Sequence, residues 1–441
     1  MSANRTTTAK RLTSTVLWLG WILVVTAPLM WLRLEYDAEA QKSVARFHSE
    51  RWRWWTVDLP RTLIANWYWF AALTAGVVGW RLWQRFPQRE RLAGWRDALL
   101  RRYRAVPSAA RTAGWWVVAP IAVVTLCAAL DDQQRGWGIF IGIYILLAMG
   151  LNLTVGMTGL LVLGYGAFYG IGAYTFGMLH QWTGISFWVA FVPAATVGAL
   201  VGLLLGLPSI RLRGDYLAIV TLGFGEVLRL LLKNLKSATL SDGRVVTITG
   251  GDEGIFIDRA AMFPRFDAAL GFPDGLTREA CGFLVMAALV ALSIWLVRNL
   301  FHSRIGRAWI AIREDETSAS AMGIPVYRMK LLAFMLSGAW AGIAGVCFAA
   351  HQGHIVPDSF GFVESVLILS MVILGGMGTV SGPICGAAVF YLTYELLRSR
   401  VPELTDYRLL VFGALMVAMM VFRPQGLLGS QQRKIEMETG Q

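Results

Sequence analysis

Apolar runs of 14 to 22 residues recur from one end of the chain to the other, separated by short polar or arginine-rich stretches. About 20 consecutive apolar residues cross the ~30 Å hydrocarbon layer, so runs of this kind predict membrane-spanning helices. Twelve segments qualify: 12–32, 63–80, 113–130, 137–155, 158–179, 187–207, 216–232, 281–297, 331–350, 362–377, 384–397 and 409–422, nine of them without a charged residue. The expected fold is all-α, a polytopic transmembrane helix bundle of 10–12 spans. The last three segments and the glycine-rich 158–179 run are short or irregular enough to be tilted, broken or re-entrant.

One stretch breaks the pattern. Residues 302–330, HSRIGRAWIAIREDETSASAMGIPVYRMK, form a charged island between two uncharged runs, 281–297 and 331–350. Within it Ile305, Ala308, Trp309 and Ile312 recur at helical spacing while Arg307, Arg313, Glu314, Asp315 and Glu316 cover the other faces. That spacing predicts a short amphipathic helix lying along the membrane, with a polar face that a soluble partner can grip.

Composition agrees with a membrane protein: 56% of residues are hydrophobic and the mean hydropathy is +0.53. The net charge of +12 does not point to nucleic acid, because the arginines sit in loops flanking apolar runs, where the positive-inside rule expects them. Membrane lipid is the partner this charge implies. With the N-terminus inside and twelve spans alternating, the inner loops hold 22 Lys and Arg against 8 Asp and Glu, and the outer loops 13 against 17. Both termini and the island therefore come out cytoplasmic. The four cysteines, Cys127, Cys281, Cys347 and Cys385, fall in or beside apolar runs as small packing residues and indicate no disulfide framework.

Three regions follow. Residues 1–110 hold two expected spans, the first a retained signal anchor, joined by a Trp-rich outer loop and followed by an Arg-rich cytoplasmic stretch. Residues 111–430 form the main transmembrane domain, with a polar outer (periplasmic) loop at 233–280 and the cytoplasmic island at 301–330. Residues 431–441 are a polar cytoplasmic tail. Two glycine clusters stand out in the main domain: Gly159, Gly164, Gly166, Gly170 and Gly172 in the first, Gly375, Gly376, Gly378, Gly382 and Gly386 in the second. Glycines at this density mark close helix packing or broken helices lining a pathway.

Enzyme signatures are absent from the sequence: no phosphate loop, since no Gly-Lys pair occurs, no His/Cys/Asp cluster at metal-ligand spacing, and no Ser/His/Asp constellation. The chain is thus read as no enzyme, with no metal and no cofactor of its own. His351 and His354 read as solvated polarity past a span end. Ionisable residues inside spans are expensive and functional by default. Four occur: Glu226 and Arg229, three apart on one helix and able to pair, and Glu364 and Glu395, near span ends where they can reach water. A structural ion pair and a pathway role are both open for the first two.

Four collinear motifs carry a family. RLRGDYLAIVTLGFGEVLRLLL (211–232), SRIGRAWIAIREDETSASAMGI (303–324) with RMKLLAF (328–334), SFGFVESVLILSMVILGGMGTVSGP (359–383) and VFRPQGLL (421–428) closely resemble the M-type permease subunit of high-affinity branched-chain amino acid ABC transporters. LLVLGYGAFYGIGAY (160–174) belongs to the same match, which runs over about 137–428; the two-span extension resembles longer members of that subfamily.

The resemblance implies a multi-pass subunit of the bacterial inner membrane. It pairs with a homologous H-type permease, with two ABC ATPase subunits that use the ATP, and with a periplasmic binding protein that delivers leucine, isoleucine or valine. It implies that Gly306, Arg307, Ala308, Arg313, Glu314, Asp315, Glu316 and Gly323 of the island meet the ATPases. Gly164, Gly166, Gly170, Gly375, Gly376 and Gly378 are expected on helices that move or line the path, and Glu226 is expected to orient their packing or meet the substrate amine. One departure stands out: where the family commonly has GGPNGI in the outer loop, this chain has GGDEGI, with Asp252 and Glu253. Urea and short-amide permeases share much of the motif set. The rival classes are a stand-alone channel, which has no use for the island, and an ion-coupled carrier, which needs midplane carboxylates that only Glu226 approaches.

Overall fold

The computed structural model describes residues 130–209, 214–239, 245–257 and 278–400, the strands Leu32–Asp37 and Lys42–Phe47, and isolated residues 125, 127, 413, 417, 426 and 427. The expected spans 12–32, 63–80, 113–130 and 409–422, the Arg-rich stretch, Arg211, Arg213 and the C-terminal tail lie wholly or almost wholly outside the described residues. The chain divides into two units, 1–113 and 114–441. In the first, β1 (Leu32–Asp37) pairs antiparallel with β2 (Lys42–Phe47), opposing Asp37 to Lys42 at the turn end. This hairpin lies in what the apolar pattern marks as a loop.

The second unit is a helix bundle. Its long elements are α1 (Asp132–Leu151), α2 (Tyr165–Thr183), α3 (Phe187–Ser209), α4 (Asp215–Asn234), α5 (Arg278–His302), α8 (Val326–Gln352), α9 (Phe362–Gly375) and α10 (Ser381–Arg400). Between α5 and α8 lie two short helices, α6 (Arg304–Glu314) and α7 (Glu316–Ala321). Five segments among the described residues are long and apolar enough to span a membrane: Asp132–Met157, Phe187–Pro208, Glu279–His302, Val326–Gln352 and Pro357–Gly375. The first is 78% buried inside the protein and the second and third only 33%. Thus α1 is central, whereas α3 and α5 present residues such as Trp188, Val192, Leu200, Leu204, Leu292 and Trp295 outward. An apolar surface of that extent belongs against lipid.

Small residues set how closely the helices approach. On α3, Gly198 and Gly202 lie four apart; on α8, Gly338 and Gly342 do too. A Cβ on Gly198 would meet the Gly338 carbonyl, one on Gly338 the Gly198 carbonyl, and one on Gly342 that of Ala194. This is the close backbone approach that small-xxx-small spacing permits in lipid, where burial of apolar area no longer drives association. The other face of α8 meets α2 just as closely, with Gly345 against the Tyr169 carbonyl and Gly172 against Gly342.

Three expected spans are interrupted. α1 runs into a π-helical turn, Asn152–Met157, with all six residues buried. The Thr154 and Thr158 hydroxyls there donate back to the Leu151 and Thr154 carbonyls, at 3.0 and 2.6 Å, a habit that loosens regular helix. The run 158–179 is helical only from Tyr165, after a non-helical stretch in which Gly159 has φ +73°. Likewise α9 stops at Gly375, and Gly376 and Gly378, with φ of +116° and +75°, turn the chain into α10. At about 1.5 Å per residue the 14-residue α9 by itself is ~20 Å long, and only with the preceding 3₁₀ turn Pro357–Phe360 does the segment approach a ~30 Å hydrocarbon core.

The polar 233–280 loop has some structure where it is described. β3 (Ser237–Thr239) pairs with β4 (Val245–Thr247). A 3₁₀ turn covers Gly251–Glu253, and β5 (Ile255–Phe256) pairs antiparallel with β6 (His354–Ile355), which tethers the loop to the end of α8.

Candidate functional site

Glu226, Arg229 and Glu364, three of the four ionisable residues expected inside spans, gather in one place. A cleft of about 610 Å³ opens between α1, α4, α9 and α10 and is lined by Tyr144, Glu226, Arg229, Asp358, Ser359, Gly361, Phe362, Val363, Glu364, Leu367, Met371, Phe390, Tyr391 and Tyr394. Arg229 Nε donates to both carboxylate oxygens of Glu226, at 3.0 and 3.1 Å, and its Nη1 donates to Asp358 in the short turn before α9. The pair expected from the i, i+3 spacing therefore forms, and Asp358 completes it from a distant part of the chain. One turn further along α4, Lys233 reaches Asp252 at 2.8 Å and Asp358 at 3.7 Å. Asp252, one of the two residues that depart from the family's usual loop, is thus an ion-pair partner. Its carboxyl is held below the usual carboxylate range, chiefly by the hydrogen bond from the Lys233 ammonium.

The lining has a polar end and an apolar wall. Three carboxylates, from Glu226, Asp358 and Glu364, face one guanidinium, so negative charge is in excess. Glu364, expected to reach water at a span end, is half-buried in the first turn of α9, where it lines the open cleft and interacts with Tyr144 of α1. Leu367, Met371 and Phe390 supply the apolar wall, and Tyr391 stacks on Phe140 with ring centroids 5.7 Å apart. For Glu395 the expectation of a solvated carboxylate fails: it is only 8% exposed, because α10 turns that face inward.

The histidines also differ from simple solvated polarity. His354 stacks on Phe256, centroids 4.0 Å apart, and pairs with the Glu253 carbonyl at 2.8 Å. His351 packs edge-on against Phe140, with Nδ1 3.7 Å from Glu279. Among the described residues no group of His, Cys, Asp and Glu has the arrangement of a metal site.

The expected glycines lie close to neighbouring backbone. A Cβ on Gly164 would meet the Thr221 carbonyl on α4, one on Gly166 would lie 2.8 Å from the Phe360 carbonyl, and one on Gly170 2.8 Å from the Phe360 ring. Gly164 also belongs to a small crevice beside the cleft, together with Glu226 and Phe360. Gly375 sits against the Gly382 backbone, and Gly376 and Gly378 make the turn between α9 and α10. The first cluster thus lies next to the cleft and the second at the opposite end of α9.

That opposite end carries the island. It is two helices, not one, because Asp315 stands at φ −154° and caps the second: its carboxylate accepts from the Thr317 amide at 2.8 Å and the Ser318 amide at 3.3 Å. The Ser318 hydroxyl, with these amides, holds the Asp315 carboxyl below its ordinary range. α6 presents Trp309 and Ile312 to the core, 0% and 4% exposed, and the indole of Trp309 donates to the Met329 carbonyl at 2.8 Å. The helix is therefore anchored in protein on its apolar side. Of the residues implied as ATPase contacts, Arg307, Glu314, Asp315 and Gly323 are exposed, Ala308, Arg313 and Glu316 half-buried and Gly306 buried. Arg313 turns toward the bundle and donates to the Gly156 carbonyl at 2.7 Å.

Several residues of these sites escape sequence reasoning. Asn152 joins the π turn to the α9–α10 turn, donating to the Thr379 carbonyl and accepting from the Gly378 amide, both at 2.9 Å. A lone polar residue in an apolar run was its signal. Lys330, 3% exposed, pairs with Glu316 at 2.8 Å. Asp358 and the tyrosines of the cleft gave no signal, since Tyr144, Asp358 and the Tyr391–Tyr394 pair come from three separate segments of the chain.

The sequence comparisons bear on this architecture directly. Residues 136–420 match the family described as branched-chain amino acid transport system / permease component. The high-affinity branched-chain amino acid transport system permease protein LivM of Salmonella typhimurium is 43% identical over 314 residues, 68% of this chain and 71% of that protein. LivM of Escherichia coli is 43% identical over 313 residues, 68% of this chain and 70% of that protein. The LivH permease protein of Escherichia coli is 27% identical over 307 residues, 67% of this chain and 95% of that protein. No solved structure gives a significant match. A multi-pass membrane bundle and a match across its whole described core lead to one conclusion: this chain belongs to the permease component family of branched-chain amino acid transport systems, on its M-type branch.

Proposed function

We propose that this chain is the M-type permease subunit of an ATP-driven importer of leucine, isoleucine and valine in a bacterial inner membrane. It pairs with a homologous H-type permease, two ABC ATPase subunits dock on the island, and a periplasmic binding protein delivers substrate at the end bearing Asp252 and Asp358. ATP chemistry belongs to the ATPases, and this chain binds no cofactor.

The observation that carries the reading is the cleft. Its excess of carboxylate over guanidinium attracts an ammonium group, and Glu364, with Glu226 held by Arg229, is placed to receive it. Leu367, Met371 and Phe390 suit a branched aliphatic side chain, whose burial contributes about 1.5–3 kcal/mol. Arg229 retains the geometry to accept a carboxylate in exchange for Asp358, which makes that ion pair a gate at the cleft mouth. Movement of the glycine-packed helices beside it then passes the substrate on.

The test is uptake of labelled leucine into proteoliposomes holding this chain, its partner permease, the ATPases and the binding protein, with urea as competitor. Leucine entry that needs both internal ATP and the binding protein is the expected result. ATP-dependent urea uptake without leucine changes the cargo, and flux without ATP overturns the importer reading.

A further inference from the structure

The arginine of the island reaches a place where three interrupted elements meet. Arg313 Nη1 donates to the carbonyl of Gly156 in the π turn at 2.7 Å. Its side-chain stem covers Gly159, where a Cβ would lie 3.2 Å from Cγ, and its Nη1 lies 2.5 Å from where a Cβ on Gly378 would be. Neither glycine can be replaced without displacing this side chain, and both adopt positive φ. The same π turn is bound to the α9–α10 turn by Asn152, which both donates to Thr379 and accepts from Gly378. Thr379 then fastens that turn to α10, accepting from the Gly382 amide at 3.0 Å.

We infer that Arg313 is a positioning residue that couples the island to the broken ends of α1, α9 and α10, and not a docking contact for a soluble partner. A helix interruption leaves backbone carbonyls and amides without partners, so it is the natural place for a packed bundle to yield; π turns in particular gather at functional sites. Here the Gly156 carbonyl accepts from Arg313, an island cation that turns inward, while Arg307, Glu314 and Asp315 stay exposed. Displacement of α6 therefore pulls on the π turn through Arg313, and the π turn pulls on Gly378 and Thr379 through Asn152. A contiguous chain of hydrogen bonds of this kind can carry coupling between distant sites. Its far end is α9, whose other end lines the cleft.

The functional half of this inference rests on the importer reading, so two measurements separate them. The first needs no transport: hydrogen exchange in the purified full-length chain. Arg313→Ala is expected to raise exchange in 152–159 and also in 376–380, leaving the interior of α1 protected. Exchange confined to the island overturns the inference. The second uses the complete complex. Arg313→Ala is expected to retain normal co-purification with the ATPases while substrate moved per ATP hydrolysed falls about tenfold, and Arg313→Lys recovers part of that ratio. Loss of ATPase co-purification makes Arg313 a docking contact, and an unchanged ratio also overturns the proposal. Should Arg313→Ala fail to fold, Asn152→Asp decides, since it keeps the volume but removes the donor to Thr379; it is expected to give the same exchange pattern and the same uncoupling with Arg313 intact. Absence of ATP-driven uptake in the unaltered complex fails the importer reading alone, and the exchange result still stands or falls by itself.

Discussion

The two ends of α4 are held in contrasting ways. Gly214 and Leu217, at its start, border the island pocket with Arg313 and Glu316; Arg229 and Lys233, near its finish, hold the ion pairs of the cleft. The 18 residue steps from Asp215 to Lys233 rise about 27 Å, roughly the thickness of a hydrocarbon core. At the cleft end, charged side chains meet charged side chains in reach of water: Asp358 and Asp252 are 64% and 60% exposed. At the island end, besides the Lys330–Glu316 pair, Arg313 and Asn152 meet backbone carbonyls and amides around the buried Gly156. Exposed ion pairs exchange partners at little energetic penalty. Buried backbone groups do not, because losing their partner leaves them desolvated and unpaired. One end is suited to swapping contacts with a zwitterion, the other to transmitting force.

The largest effect that contrast predicts is at the α9–α10 turn. Gly378→Val places a branched side chain at φ +75° and against Arg313, so it is expected to destabilise the fold by about 1–3 kcal/mol or more, read as a fall in the melting temperature of the purified complex. A loss matched by Gly223→Val, where nothing stands within 4 Å, breaks the distinction between the two ends.

Next comes Lys330, an ammonium 3% exposed whose partner Glu316 is 36% exposed. Glu316→Ala leaves a buried charge unpaired and should destabilise by about 1–3 kcal/mol, whereas Lys330→Met, which removes the charge as well, should come close to neutral. Equal losses in thermal unfolding would refute that asymmetry.

At the cleft, Arg229→Met should raise the KM for leucine by about tenfold, with complex assembly unchanged, as expected where an interaction serves substrate binding. A drop in kcat alone would assign the arginine elsewhere.

The smallest effect is at Asp252. Its carboxyl is held low by Lys233, and for a depressed carboxylate the stabilising contribution is full above the unfolded value of ~3.9 and is lost as pH falls through the lowered one. Asp252→Asn should therefore leave the shape of the uptake profile between about pH 5 and pH 8 unaltered. A slope in that window that vanishes in the variant would show that Asp252 itself titrates there and is not held low by Lys233.

The apolar pattern determined the long helices, since hydrophobic length answers to bilayer thickness and needs no tertiary context: 281–297 became Arg278–His302 and 331–350 became Val326–Gln352. It also determined the island and the Glu226–Arg229 pair, both local in sequence. Family membership followed from long collinear motifs. Tertiary structure alone decided that Trp309 and Arg313 face the bundle, that Glu395 is buried, that 158–164 is not helix, and that Asp358 and three tyrosines share a cleft with Glu226. The physical reason is the same each time. A span is chosen by transfer of one segment from water to lipid, but a site is chosen by which segments pack together. In this bundle the packing is set by glycine contacts such as Gly198 with Gly338 and Gly164 with Thr221, whose partners lie far away along the chain.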